Sequence, residues 1–132
     1  MLRTENLQFA YRQGAVMSFP DVQLPQGGVL LLQGASGSGK STLLALACGL
    51  LTPTAGKITV AGQDVSALTG SQRDVWRGRN LGFLPQKLYL SESLTVRGNL
   101  ALAFFATGLP EEAVKIDAAL QALGVRDLAE RR

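Results

Sequence analysis

Gly34, Gly39, Lys40 and Ser41 follow one another in the stretch GASGSGKST as glycine, four residues, glycine, lysine and serine. Residues of these types at this spacing suit the wrapping of a loop around phosphate. Glycines at Gly34, Gly37 and Gly39 open backbone angles that other residues avoid, so that successive N–H groups from about Gly37 onward can converge on an anion. Ser36 and Ser38 complete the loop and are counted with it as nucleotide contacts. A helix that starts where the loop ends adds the positive end of its dipole. Lys40 then supplies a cation for the β and γ phosphates, Ser41 a hydroxyl oxygen for Mg²⁺, and Thr42 a hydrogen bond to the α phosphate. A glycine-rich turn that binds nothing would leave Lys40 and the flanking elements unexplained. The sequence therefore predicts a P-loop that binds a nucleotide together with Mg²⁺.

The loop needs a strand to enter it and a helix to leave it. Val29, Leu30, Leu31 and Leu32 form an uninterrupted apolar run of strand length, as in a central parallel strand covered on both faces. Residues 40–51 carry no charge after Lys40 and are mostly Leu, Ala or small, which predicts a helix packed on most of its circumference. Upstream, Leu7, Phe9 and Tyr11 alternate with polar or small residues, as do Val22 and Leu24, so an antiparallel pair joined near Gly14 should open the chain. Lys57 to Val60 alternate again, and Gly62 and Gln63 make a turn. Ser71 and Asp74 have capping-box spacing for a helix through Trp76. Leu81 and Phe83 read as a short strand running into Pro85 and Gln86. Pro110, Glu111 and Glu112 open a helix with the apolar face Ala113, Ile116, Leu120 and Leu123, stopped by Gly124. The fold class is thus α/β.

A chain of 132 residues with 46% hydrophobic and 17% charged residues has the balance of one well-packed domain. Its net charge of +3 is scattered. The densest cluster, Arg73, Arg77 and Arg79, is thin for a nucleic-acid footprint and reads as a solvated face. The single cysteine, Cys48, excludes an internal disulfide and suits a buried thiol in a reducing compartment. The longest apolar runs, residues 43–51 and 100–109, fall short of the roughly 18 to 20 residues that cross a bilayer, and the amino terminus lacks a signal-peptide pattern. A soluble protein, or one held at a membrane by partners, is expected.

The stretch GASGSGKSTLLALACGLLTPTAGKITVAGQDV, followed by LGFLPQ, closely resembles the first part of the ATP-binding subunit of an ABC transporter. The resemblance covers the whole chain and implies a P-loop NTPase of the ABC ATPase type. Its parts would be a nucleotide-binding core with an antiparallel β subdomain over residues 1–90 and the start of the helical subdomain over residues 91–132. It implies that Tyr11, in LQFAYRQG, stacks on adenine. It also implies that Gln86, in GFLPQ, is the Q-loop glutamine that contacts Mg²⁺ or the attacking water, so that Lys40 and Gln86 are the catalytic residues and Ser41 and Gln86 the metal contacts. LYLSESLTVRGNL resembles the segment that faces the membrane subunits, with Gly98 where glutamate is common. VSALTGSQRDVWRGRNLGFLPQ is similar to the lipoprotein-release and macrolide-export subgroup. Implied partners are integral membrane subunits and a second cassette, with no nucleic acid, and the implied place is cytoplasmic, peripheral on the inner face of the cell membrane.

Other parts of that family pattern are missing. No run of four apolar residues ends in Asp-Glu, and the chain contains no histidine, so the family's general base and switch residue are not in this sequence. LTGSQ, from Leu68 to Gln72, mimics the family's signature loop but precedes Gln86, whereas the signature follows it; a helix-cap region is the expected role. The chain is expected to stop short of the signature, and to bind ATP without meaningful turnover. The competing readings are a soluble ABC-type clamp, a GTPase or small-molecule kinase, for which no guanine-reading segment occurs, and a noncatalytic nucleotide-binding fragment.

Overall fold

β1 (Leu2–Phe9) pairs antiparallel along both of its edges in the computed structural model, which describes residues 1–12 and 14–132. β2 (Met17–Ser18) and β3 (Gln23–Leu24) take opposite ends of one edge, and β4 (Ala55–Val60) takes the other, with β5 (Gln63–Asp64) outside it. The antiparallel opening of the chain is therefore present. What periodicity alone did not reveal is a break in register between Glu5 and Gln8. There Asn6 takes a positive φ of 47° and gives its N–H to Asp21 Oδ1 at 2.7 Å instead of to the ladder. An extra residue on one strand moves the inward set by one place. The buried residues accordingly step from Thr4 to Leu7 and then to Phe9. Thr4 is a buried hydroxyl with both capacities met, donating to Pro20 O at 3.0 Å and accepting from Val22 N–H at 2.7 Å.

α1 (Lys40–Ala47) lays Leu43 and Leu46 on Leu7, Phe9, Ile58 and Val65, with Leu2, Phe19, Leu51 and Trp76 around them. Leu7, Leu46 and Ile58 are fully buried, and each contributes about 1.5–3 kcal/mol by leaving water. The helix is packed on one side only, since Leu44 remains 47% exposed. The expected buried strand over residues 29–32 does not form either: Val29 is 93% and Leu31 75% exposed. A parallel strand needs neighbours on both edges and cover on both faces, and the described residues pair no strand with this run. Leu81 and Phe83 form no strand for the same reason; Leu81 instead closes α2 (Gly70–Asn80). That helix is capped two residues earlier than Ser71 and Asp74 suggested. Its N-cap is Thr69, whose backbone N–H is taken by Gln72 Oε1 at 2.9 Å, so LTGSQ is a cap as expected.

Met1–Leu81 form one compact unit and Gly82–Arg132 a second. In the second, α3 (Val96–Thr107) and α4 (Ala113–Ala122) enclose Ile116, Leu120 and Ala129 together with Val96, Leu100, Phe104 and Val125. The inward stripe of α4 is the single pair Ile116 and Leu120, one helical turn apart. Ala113 and Leu123, expected on that face, are exposed, because they lie at the ends of a helix covered only across its middle. Thr95 caps α3 by accepting from Gly98 N–H at 3.0 Å. Two further first-turn donors are met by the chain end, Val96 N–H by Arg131 O at 2.8 Å and Arg97 N–H by Ala129 O at 2.9 Å. The Arg97 side chain reaches Glu130 at 2.8 Å and Asp117 at 2.7 Å, and these two carboxylates raise its pKa above the ordinary value.

Two predictions follow from the first unit. Gly56 has φ +77°, and a Cβ there would stand 2.2 Å from the backbone oxygen of Asn6. Gly56→Ala should cost more than about 2 kcal/mol, by positive-φ strain plus a backbone clash that no side-chain rotation relieves, read as a lower urea midpoint with unchanged slope. Burial pushes the Cys48 thiol above its ordinary pKa, with the Arg77 charge offsetting part of the rise. Stability that depends on the neutral thiol is then complete below the unfolded thiol pKa, about 8.5, and is lost as pH rises through the folded value. The stability deficit of Cys48→Ala relative to the parent chain should therefore be smaller at pH 10 than at pH 7, as measured by urea unfolding at both.

Candidate functional site

Gly39 sets the geometry of the loop. It is the N-cap of α1 with φ +88°, and a Cβ on it would come within 3.2 Å of the Phe19 ring, so the loop turns into the helix pressed against a core aromatic. Glycine has no side chain with which to cap the helix, and no side-chain cap is present. The donors of the first turn, beginning at Lys40, thus stay available to an anion. Gly37 also has a left-handed φ of 79°. At Gly34 a Cβ would meet Ser38 Oγ at 2.8 Å, so a side chain here would have to turn the Ser38 hydroxyl away from the loop.

Lys40 folds back over the loop it follows. Its Nζ donates to Gly34 O at 2.8 Å and Ala35 O at 2.8 Å, with Ser38 Oγ at 3.4 Å. Three ammonium protons meet three oxygens, which holds the cation at the loop's mouth instead of in bulk solvent. Ser41 is exposed in the first turn and Ser36 is exposed in the loop, while Thr42 is 7% exposed. Tyr11 lies just past the end of β1. Its ring meets Phe9 edge to face, with centroids 4.8 Å apart at 87°, and its hydroxyl lies 3.1 Å from Thr42 Oγ1. The ring is otherwise 53% exposed.

Tyr11, Gly14, Ala15 and Met17 line one wall of a cleft of about 430 Å³, and Gly37, Ser38, Gly39, Lys40, Ser41 and Thr42 line the other. The fold thus brings together Tyr11 and six of the eight P-loop residues singled out from the sequence. Gly34 and Ser36 belong to the same loop without lining the cleft. Gln86 lies in the second unit, exposed, in the irregular segment ahead of α3. Sequence reasoning missed the Tyr11–Thr42 contact, the Phe19 ring behind Gly39, and Ala15 and Met17 as lining. The alternation of Met17, Ser18 and Phe19 is the one signal in the sequence that could have marked an inward role there. A cleft of mixed polar and apolar lining, with one cation, the N–H groups of a helix start and an exposed aromatic ring, is suited to a ligand with an anionic end and a flat apolar end.

Residues 19–132 match the family model for the ABC transporter. The chain belongs to the ABC transporter family. Among relatives in this family, the lipoprotein-releasing system ATP-binding protein LolD of Pseudoalteromonas translucida is 36% identical over 135 residues, a match covering 99% of this chain and 58% of the relative. LolD of Xylella fastidiosa is 38% identical over 112 residues, covering 82% of this chain and 47% of the relative. The chain thus spans about half the length of these relatives. The ATP-binding cassette MJ0796, solved as a dimer in a post-hydrolysis state bound to ADP and Pi, superposes with a TM-score of 0.83 at 23% identity, covering 100% of this chain and 61% of that one. The fold is that of ABC ATPase cassettes, here in part.

Proposed function

We propose that this chain is the nucleotide-binding part of an ABC transporter ATPase, seating Mg²⁺·ATP in the cleft between Tyr11 and the P-loop. The observation that carries this reading is the placement of Lys40 Nζ on the carbonyls of Gly34 and Ala35, beside the uncapped first turn of α1 and across the cleft from an exposed tyrosine ring. In this reading the N–H groups of Gly37 and Gly39 face phosphate oxygens, Ser38 N–H leaves Ala35 O to join them, and Gly34 and Ser36 shape the loop. Lys40 exchanges its carbonyl partners for the β and γ phosphates. Thr42 serves the α phosphate, and Tyr11 stacks on adenine.

Mg²⁺ prefers hard oxygen ligands and retains water and phosphate in its shell. The donor set fits such an ion: Ser41 offers a hydroxyl, and no cluster of three His, Cys, Asp or Glu side chains exists among the described residues, so nucleotide phosphates supply the remaining charge. When bound, the metal neutralises charge on the transferring phosphoryl group; the chain's own part is to bind, orient and exclude. A catalytic glutamate and a switch histidine are not in this sequence, so this chain binds ATP without sustained hydrolysis. The relatives named lipoprotein-releasing LolD support a transporter role, with integral membrane subunits and a second cassette as partners on the cytoplasmic face. No helix among the described residues is long and apolar enough to cross a membrane.

Titration of the chain with a fluorescent ATP analogue and Mg²⁺ tests this. Saturable binding that competes with ATP and falls at least tenfold in Lys40→Ala is expected, since a charge-assisted contact to phosphate is worth about 1.5–3 kcal/mol. Steady-state phosphate release should stay at background. Binding insensitive to Lys40→Ala would reject the reading.

A further inference from the structure

The contact between Tyr11 and Thr42 joins two parts of the site that a stacking aromatic and a phosphate-binding threonine would otherwise serve separately. Their hydroxyl oxygens are 3.1 Å apart. Thr42 is 7% exposed, in the first turn of α1, and among the described residues its Oγ1 has no other hydrogen-bond partner. A hydroxyl has one proton to give and two lone pairs to accept with. A phenol is a better donor than an aliphatic alcohol, and the alcohol oxygen is the better acceptor. Either oxygen can give the proton, and this difference favours Tyr11 O–H as the donor to Thr42 Oγ1. This occupies one lone pair of Thr42 and leaves its own proton unspent, in a residue that lines the cleft beside Gly39 and Lys40.

We infer that the Tyr11 hydroxyl is a positioning group for anion binding: it orients and polarises the Thr42 hydroxyl as a donor to a phosphate oxygen, independently of whatever the Tyr11 ring does at the base. The inference deepens the reading of the cleft as a phosphate seat and rests on it. Two features fix the phenol for this task. The ring meets Phe9, itself part of the buried core, edge to face, which braces one side of a phenol that is otherwise half exposed. Thr42 is fixed by the helix whose next residue, Leu43, packs into that same core. Chained hydroxyls reinforce one another, since a group that accepts a hydrogen bond becomes a stronger donor.

Stacking and hydroxyl orientation make different demands on ligand and residue. Tyr11→Phe keeps the ring and removes only the oxygen. If the hydroxyl orients Thr42, Tyr11→Phe weakens binding of inorganic tripolyphosphate, which has no base, by the same factor as it weakens ATP. The expected loss is about three- to tenfold, the worth of one neutral hydrogen bond. The effect should vanish in a Thr42→Val background, and it should persist in Thr42→Ser, which keeps the hydroxyl and guards against a folding defect in the valine variant.

The experiment is isothermal titration of the 132-residue chain and these variants with ATP and with tripolyphosphate, each with Mg²⁺. Equal losses for both ligands that depend on a hydroxyl at Thr42 establish the inference. Affinities unchanged in Tyr11→Phe overturn it, as does a loss confined to ATP, which would place the phenol oxygen at the base. A parent chain that binds tripolyphosphate with the Tyr11 dependence but shows no preference for ATP upholds the hydroxyl pair while rejecting the nucleotide reading. A parent chain that binds neither ligand rejects both.

Discussion

The packing of α1 on β1 and β4 is the interaction on which the first unit depends. Leu46 meets Leu7 and Ile58 in a fully buried layer, and this contact fixes where α1 begins and thus where the loop before it must end. The same strand that receives the helix carries Phe9 into the core and ends just before Tyr11. Both walls of the cleft therefore hang from one hydrophobic contact. Phe19, just beyond β2, fills the space behind Gly39, where a Cβ would crowd the ring and the positive φ already favours glycine. Interiors are packed too tightly for such parts to move independently, so the loop, the helix start and the tyrosine keep their relation as a group.

Charge is handled differently from packing. Among the described residues Lys40 has no acidic partner; its ammonium is met by the oxygen dipoles of Gly34, Ala35 and Ser38. Carbonyl dipoles hold a cation less strongly than a full negative charge does, so phosphate can displace them and gain the stronger pairing. The uncapped N–H groups at the start of α1 add to the same positive field. An acidic side chain in this position would neutralise Lys40 and compete with the ligand. The loop thus keeps its cation ordered and still exchangeable.

The second unit solves a separate problem, which is how to finish the start of a helix with few buried residues. Thr95, Ala129 and Arg131 satisfy the first donors of α3, and Arg97 reaches both Asp117 on α4 and Glu130 beyond it. Half-exposed ion pairs of this kind contribute little each. Their value is geometric, since one guanidinium fork fixes three segments at once. Under it, Ile116, Leu120 and Ala129 make a small apolar core.

Much of the site was legible without coordinates because its physics is local. Glycines that admit left-handed backbone, a lysine one residue on and hydroxyls in the next turn act through their own spacing, and the structure puts residues 37–42 on one wall of one cleft. The antiparallel opening and the helices were also legible, as alternation and helical spacing report which side of an element is apolar. What only the tertiary structure decided concerns pairing between distant residues. The apolar run at residues 29–32 looks like a buried strand, yet burial requires neighbours, and none pairs with it among the described residues. The register break at Asn6, the choice of Thr69 over Ser71 as helix cap, and the 3.1 Å contact between Tyr11 and Thr42, 31 positions apart, likewise have no local signature. A sequence by itself states what each residue can offer; which partner accepts the offer is determined by the packing that brings separated segments into reach.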